Sequence, residues 1–133
     1  MPELEWSLLC EYCLIDAAGK LSMLGIFEQM LTLHVPAFQP MLFVVSRWRS
    51  EPQQVFKVET RLWTPTEQVL QTTGEVLVAP SPVGQNLTIN QFTSLTFERE
   101  GQYLVELLVD GETARYYPWQ LTVRPAPGAP ASA

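Results

Sequence analysis

Val55-Phe56-Lys57-Val58-Glu59-Thr60-Arg61-Leu62-Trp63 alternates apolar or small side chains with polar or large ones along its whole length. A period of two marks a strand with one face in a core and one toward solvent. Phe56, Val58, Thr60 and Leu62 are therefore predicted inward, and Lys57, Glu59, Arg61 and Trp63 outward. The next four residues, Thr64-Pro65-Thr66-Glu67, read as a turn, because proline presets its own φ and removes a ladder donor. A second strand then begins near Gln68 and closes a hairpin. The same pattern recurs from Gln102 to Val109, where Tyr103, Val105, Leu107 and Val109 define an inner face. Asp110-Gly111 follows, a dipeptide suited to positive φ, and a returning strand starts at about Thr113. In that strand Trp119, Leu121 and Val123 share a face, and Pro118 points to a sheet margin or a bulge.

Further strands are expected at about Ser7 to Ile15, Leu21 to Phe27, Met41 to Arg49 and Leu87 to Phe97, making about eight. Ala17-Ala18-Gly19-Lys20 connects the first two, and Pro36 to Pro40 and Pro80 to Gly84 read as proline-punctuated loops. No segment combines the length and the three-and-four spacing of a crossover helix, so antiparallel pairing follows. The expected fold is an all-β antiparallel sandwich, with a small β-barrel as the alternative. Residues 1–124 form the domain. Residues 125–133, rich in proline and alanine, have no large apolar side chain to bury and are expected to be a flexible tail.

Length and composition fit this reading. The chain has 133 residues, 47% hydrophobic and 17% charged, enough for one ordinary core without metal or disulfide staples. A net charge of −6 has the wrong sign for a nucleic-acid partner. The longest hydrophobic run, Met41 to Val45, is far short of the roughly 20 residues of a membrane helix. Glu3, Glu5 and Glu11 interrupt what would have to be the positive and apolar parts of a secretory signal. The expectation is a cytoplasmic protein with no membrane partner, in which Cys10 and Cys13 stay reduced.

Several strings are familiar together: Leu9-Cys10, Gly19-Lys20-Leu21-Ser22 leading to Gly25-Ile26-Phe27, and Met41 to Val45. Phe97-Glu98-Arg99-Glu100-Gly101-Gln102-Tyr103, followed by Val105 to Glu112, resembles the closing hairpin of an uncharacterised bacterial family known only as a domain of unknown function. The resemblance spans about Ser7 to Val123. It implies a small immunoglobulin-like β-sandwich of bacterial origin, and it carries no activity, cofactor or site residue.

Cys10-Glu11-Tyr12-Cys13 has the CxxC spacing of zinc and redox sites, but residues three apart on a strand face opposite ways. Both cysteines are therefore read as small buried hydrophobes. His34 is the only histidine and has no indicated nucleophile or orienting acid beside it, so it is read as structural. Asp16 and Asp110 fall at turns, where each would accept local backbone hydrogen bonds. No phosphate-binding glycine loop occurs, and Glu98 with Glu100 and Glu51 with Glu59 carry no diagnostic context for paired-carboxylate chemistry. Neither an enzyme nor a cofactor is expected. The best surface candidates are Arg61 and Trp63, outward on the clearest strand and of types enriched at binding hot spots. The expected function is a non-catalytic protein–protein interaction or assembly module, through another protein or self-association. The alternative is a small-ligand or carbohydrate-binding domain that uses exposed aromatics.

Overall fold

The computed structural model describes residues 1–124, so the expected tail at 125–133 lies outside the described residues. Ten strands occur in chain order: β1 (Glu3–Ile15), β2 (Leu21–Phe27), β3 (Gln29–Thr32), β4 (Ala37–Arg49), β5 (Phe56–Trp63), β6 (Val69–Thr72), β7 (Val76–Val78), β8 (Gln85–Phe97), β9 (Gly101–Val109) and β10 (Glu112–Val123). No helix is found among the described residues. One sheet has the order β2-β1-β4-β8, and the other β3-β10-β9-β5-β6, with β7 also pairing with β5. Each sheet has two free margins, so the fold is a β-sandwich and not the alternative closed barrel.

The alternation of β5 translates directly into packing. Phe56, Val58, Thr60 and Leu62 are all buried, and Tyr103, Val105, Leu107 and Val109 of β9 meet them on the same inner face. Leu42, Val44 and Trp48 of β4 and Phe92, Leu95 and Phe97 of β8 supply the opposing layer. Trp119 stacks on Tyr103 with centroids 4.8 Å apart and meets Phe27 and Phe97 edge-on. Full burial of an aliphatic or aromatic side chain contributes about 1.5–3 kcal/mol, so this layer dominates the favourable side of folding. Two polar links cross the core. Thr60 Oγ1 donates to Asn90 Oδ1 at 2.7 Å, and Ser46 Oγ donates at 2.9 Å to Ser7 Oγ, which lies 2.8 Å from Tyr117 Oη. Burial pushes the Tyr117 phenol up to about 12, against the opposing hydrogen bond from Ser7.

Both predicted hairpins form. The β5–β6 turn is closed by Thr64 N–H to Gln68 O at 2.8 Å, and Asp110 and Gly111 take φ of 48° and 86° in the β9–β10 turn. Gln120 N–H bonds Glu28 O on the β3 side. By alternation the nitrogen of Pro118 faces that same margin, short of where β3 begins to pair, and its missing donor costs the β9 ladder nothing. The margin of β8 is closed locally in another way. The Gln71 side chain donates to Thr93 O at 3.2 Å and accepts from Thr93 N at 3.3 Å, standing in for a neighbouring strand.

The structure corrects four expectations. Strands number ten, because β3 and β7 were unforeseen; each is too short to show a period. β3 pairs parallel with β10, an exception to antiparallel pairing. The expected Pro36 to Pro40 loop is mostly strand, since Ala37, Phe38 and Gln39 pair with Phe97, Thr96 and Leu95. Only Pro40 and the facing Ser94, at φ 55°, stand out of the ladder. The Asp110 carboxylate reaches out of its turn, accepting Lys57 N–H from β5 at 3.0 Å, in place of the local turn bonds expected of it.

Candidate functional site

The outer face of the larger sheet holds the two predicted surface residues. Cross-strand pairing sets Trp63 beside Leu104 and Leu104 beside Pro118 in one row, and Thr72, Arg61, Glu106 and Tyr116 in the next. The two rows bring Arg61 and Trp63 together around Glu106. Trp63 Nε1–H donates to Glu106 Oε1 at 2.9 Å, and Arg61 Nη1 lies 3.6 Å from the same oxygen. Arg61 Nε also donates to Glu59 Oε2 at 2.8 Å, and Thr72 Oγ1 donates to that oxygen at 2.7 Å. Thr113 Oγ1 donates to Glu106 Oε2. The guanidinium, and after it the Thr72 hydroxyl, holds the Glu59 carboxyl below its usual range.

This network limits what the face can do. Arg61 is engaged by two carboxylates whose side chains are only 12% and 14% exposed, so its charge is largely spent within the sheet. The indole N–H of Trp63 is likewise occupied. What remains free is apolar surface: the half-buried ring of Trp63, Leu104, and Tyr116, which is 66% exposed. With Glu106 they line a depression of about 160 Å³. Pockets that enclose a small molecule run to about 300–1,000 Å³, so this one suits a stacked ring or a single inserted side chain. Sequence reasoning found Arg61 and Trp63 and missed Glu106, Leu104 and Tyr116; the outward parity of β9 was the signal that could have supplied them.

The outer face of the smaller sheet was missed altogether. Register across β2, β1, β4 and β8 places Ile26, Cys10, Phe43 and Gln91 in one row and Leu8, Val45 and Ile89 in the next. Trp6, Arg47 and Leu87 form a third. These side chains point away from the main core, yet Cys10, Cys13, Phe43 and Val45 form a second buried apolar cluster. Half-buried Trp6, Met23, Met41, Leu87 and Ile89 fold over it, and Ile26 remains 52% exposed. Arg47 is the one charged residue in the three rows, and its guanidinium donates to Gln85 Oε1. The run Met41 to Val45 is the sequence trace of this arrangement, since a strand with apolar residues at consecutive positions is apolar on both faces.

Cys10 and Cys13 do not face opposite ways. Glu11 and Gly25 oppose each other without pairing, Gly25 at φ +66° with the Glu11 side chain 3.1 Å from where a Cβ would stand, and the alternation of β1 is interrupted there. Both thiols consequently enter the one cluster, and both are free. Burial first, and then the neighbouring Cys13 thiol, pushes Cys10 up to about 11, which keeps it protonated and a poor nucleophile at neutral pH. No group of three His, Cys, Asp or Glu residues among the described residues could hold a metal ion. His34 is exposed in the loop after β3, where its backbone carbonyl accepts the Thr32 hydroxyl. Asp16 accepts the backbone N–H groups of Ala18 and Lys20, as a turn aspartate does. No helix of the described residues is long and apolar enough to cross a membrane.

No curated protein matches the chain. Among solved structures, it is similar to the Pseudomonas fluorescens alkylpurine DNA glycosylase AlkC bound to DNA containing an abasic site analog, at 11% identity and a TM-score of 0.50. That match covers 72% of this chain and 28% of the glycosylase, so the chain spans under a third of that protein's length and the likeness is one of fold. A sequence-family profile described as "Family of unknown function (DUF6941)" matches residues 5–122. With nearly the whole sandwich inside that match, the chain belongs to the DUF6941 family.

Proposed function

We propose that this domain is a non-catalytic protein–protein interaction or assembly module that docks through the outer face of its four-stranded sheet. The observation that carries the reading is the second apolar cluster around Phe43 and Val45, on a sheet face where an isolated sandwich would carry polar side chains. An immunoglobulin-like lineage accompanies it. The Tyr103 hydroxyl donates to Arg99 O at 2.7 Å at the start of β9, and β3 pairs parallel with the last strand; both features support that lineage. A bacterial cytoplasmic setting fits two free thiols and a net charge of −6.

Photo-crosslinking residues placed at Ile26 and Ile89 test the reading in the native cell. A discrete protein adduct is expected at both positions, absent at exposed Val83 and lost when Arg47-side neighbour Leu87 is changed to Glu. Equal labelling at Val83, or adducts indifferent to Leu87→Glu, refutes it. A second reading, ligand or carbohydrate stacking, is favoured by the depression between Trp63 and Tyr116. Soluble saccharides should then quench tryptophan fluorescence in the native protein and fail to do so in Trp63→Ala.

A further inference from the structure

The three rows on the outer face of the four-stranded sheet suit one occupant best. They contain one charged residue, and they belong to a chain whose net charge is −6. A strongly charged partner finds almost nothing to pair with there, whereas an identical face presents apolar rows to apolar rows with no like-charged carboxylates trapped between them. The area agrees. With Leu21, Met23 and Met41 folded over them, the three rows present eight partly exposed apolar side chains, which at about 50 Å² each give about 400 Å² per protomer, within what monomers leave exposed. Twice that is about 800 Å², the size of a weak, transient association.

We infer that the protein self-associates as an isologous dimer through this face, β4 over β4 of the second copy, with the two sheets packed in the aligned manner of a sandwich about 10 Å apart. A two-fold axis lying in the interface and perpendicular to the strands places the Arg47 end of each sheet over the Tyr12 end of the other, which keeps the two guanidinium groups apart. The inference rests on the interaction-module reading and names the partner as a second copy of this chain. An interface of this size belongs to the weak, rapidly exchanging class.

Sedimentation equilibrium on the full chain, from about 1 µM to about 1 mM, reads the result against the 15.0 kDa protomer. The mass should rise toward twice that value over this range. Ile26→Glu and Ile89→Glu should each weaken the dimer at least about tenfold, while Tyr116→Ser on the opposite sheet leaves it unchanged. Thermal melts confirm that the variants fold. Should either fail to fold, concentration-dependent NMR shifts of the unaltered protein, confined to Leu8, Ile26, Leu87 and Ile89, provide the same discrimination without substitution. A protein that stays monomeric at about 1 mM overturns the inference, as does a dimer indifferent to both glutamates or shifts centred on Trp63. A monomer that still forms face-specific adducts in the cell loses only self-association; a monomer without them loses the interaction reading as well.

Discussion

Thr60→Val isolates one of the two polar links that cross between the sheets. Valine matches threonine in shape, so the substitution exchanges a hydroxyl for a methyl and opens no cavity. Thr60 is fully buried, and its hydroxyl is the donor to Asn90 Oδ1 at 2.7 Å. A typical net hydrogen bond is worth about 1 kcal/mol, and a buried acceptor left unpaired costs about 1–3. Asn90 is only half-buried, so water can reach part of it and the lower half of that range applies, about 1.5 kcal/mol. Spread over an unfolding entropy of roughly 260 cal/mol/K for a domain of this size, the loss lowers Tm by about 6 °C. Urea unfolding should show a midpoint lower by about 1 M with an unchanged slope. Asn90→Ala in the same two backgrounds completes a double-mutant cycle, with about 1 kcal/mol of coupling expected. A loss below about 0.5 kcal/mol, or the same loss whether or not Asn90 is present, refutes the claim that this pair links the sheets.

Gly84 has φ +70°, and a Cβ there would collide with Ser50 O, the backbone of the adjoining turn. Gly84→Ala should therefore cost more than about 2 kcal/mol in a thermal melt, against about 1 for Gly19→Ala, whose φ of +81° faces open space. Equal costs would show that backbone crowding at Gly84 is relieved. Glu59 has a folded pKa depressed by Arg61 and Thr72, so its contribution is present above the ordinary carboxylate range and lost as pH falls through its folded value. Glu59→Gln should lower stability at pH 7 and flatten the acid side of the stability profile below about 4.5; an unchanged acid limb counts against the network. Cys10 and Tyr117 have folded pKa values raised to about 11 and about 12, so their contributions hold at neutral pH and are lost as pH rises from the unfolded values toward these. Replacing Cys10 with Ala and Tyr117 with Phe should shallow the alkaline limb, and a limb of unchanged steepness would place its cause elsewhere.

Period-two segments were readable wherever one face met the core and the other met solvent. β5, β9 and β10 have both conditions, so their inward residues follow from alternation, and Pro65 and Asp110-Gly111 mark the turns between them and their hairpin partners. Legibility failed where one condition lapsed. β4 is apolar on both faces, so Met41 to Val45 carries no period, and the run says how buried the strand is without saying what lies on its far side. β3 and β7 span four and three residues, too few for a pattern, and are held by their neighbours through backbone pairing. Cys10 and Cys13 enter one cluster beside the Glu11–Gly25 step, where pairing lapses and Gly25 of the neighbouring strand takes a positive φ, a circumstance the local sequence of β1 does not show. The Glu59–Arg61–Glu106 network required knowing that β5 lies beside β9 in a given register, which local sequence does not encode.

The pairing of the Gln71 side chain with the backbone of Thr93 bears on how such a domain can assemble. β8 runs along the outside of its sheet for 13 residues, long enough to template another chain and then another without end. One primary amide, occupying a donor and an acceptor in mid-strand, blocks that open-ended growth while leaving the broad apolar faces untouched. That local closure disfavours strand-by-strand growth at this margin. Gln71→Ala would be the place to look for a latent amyloid former.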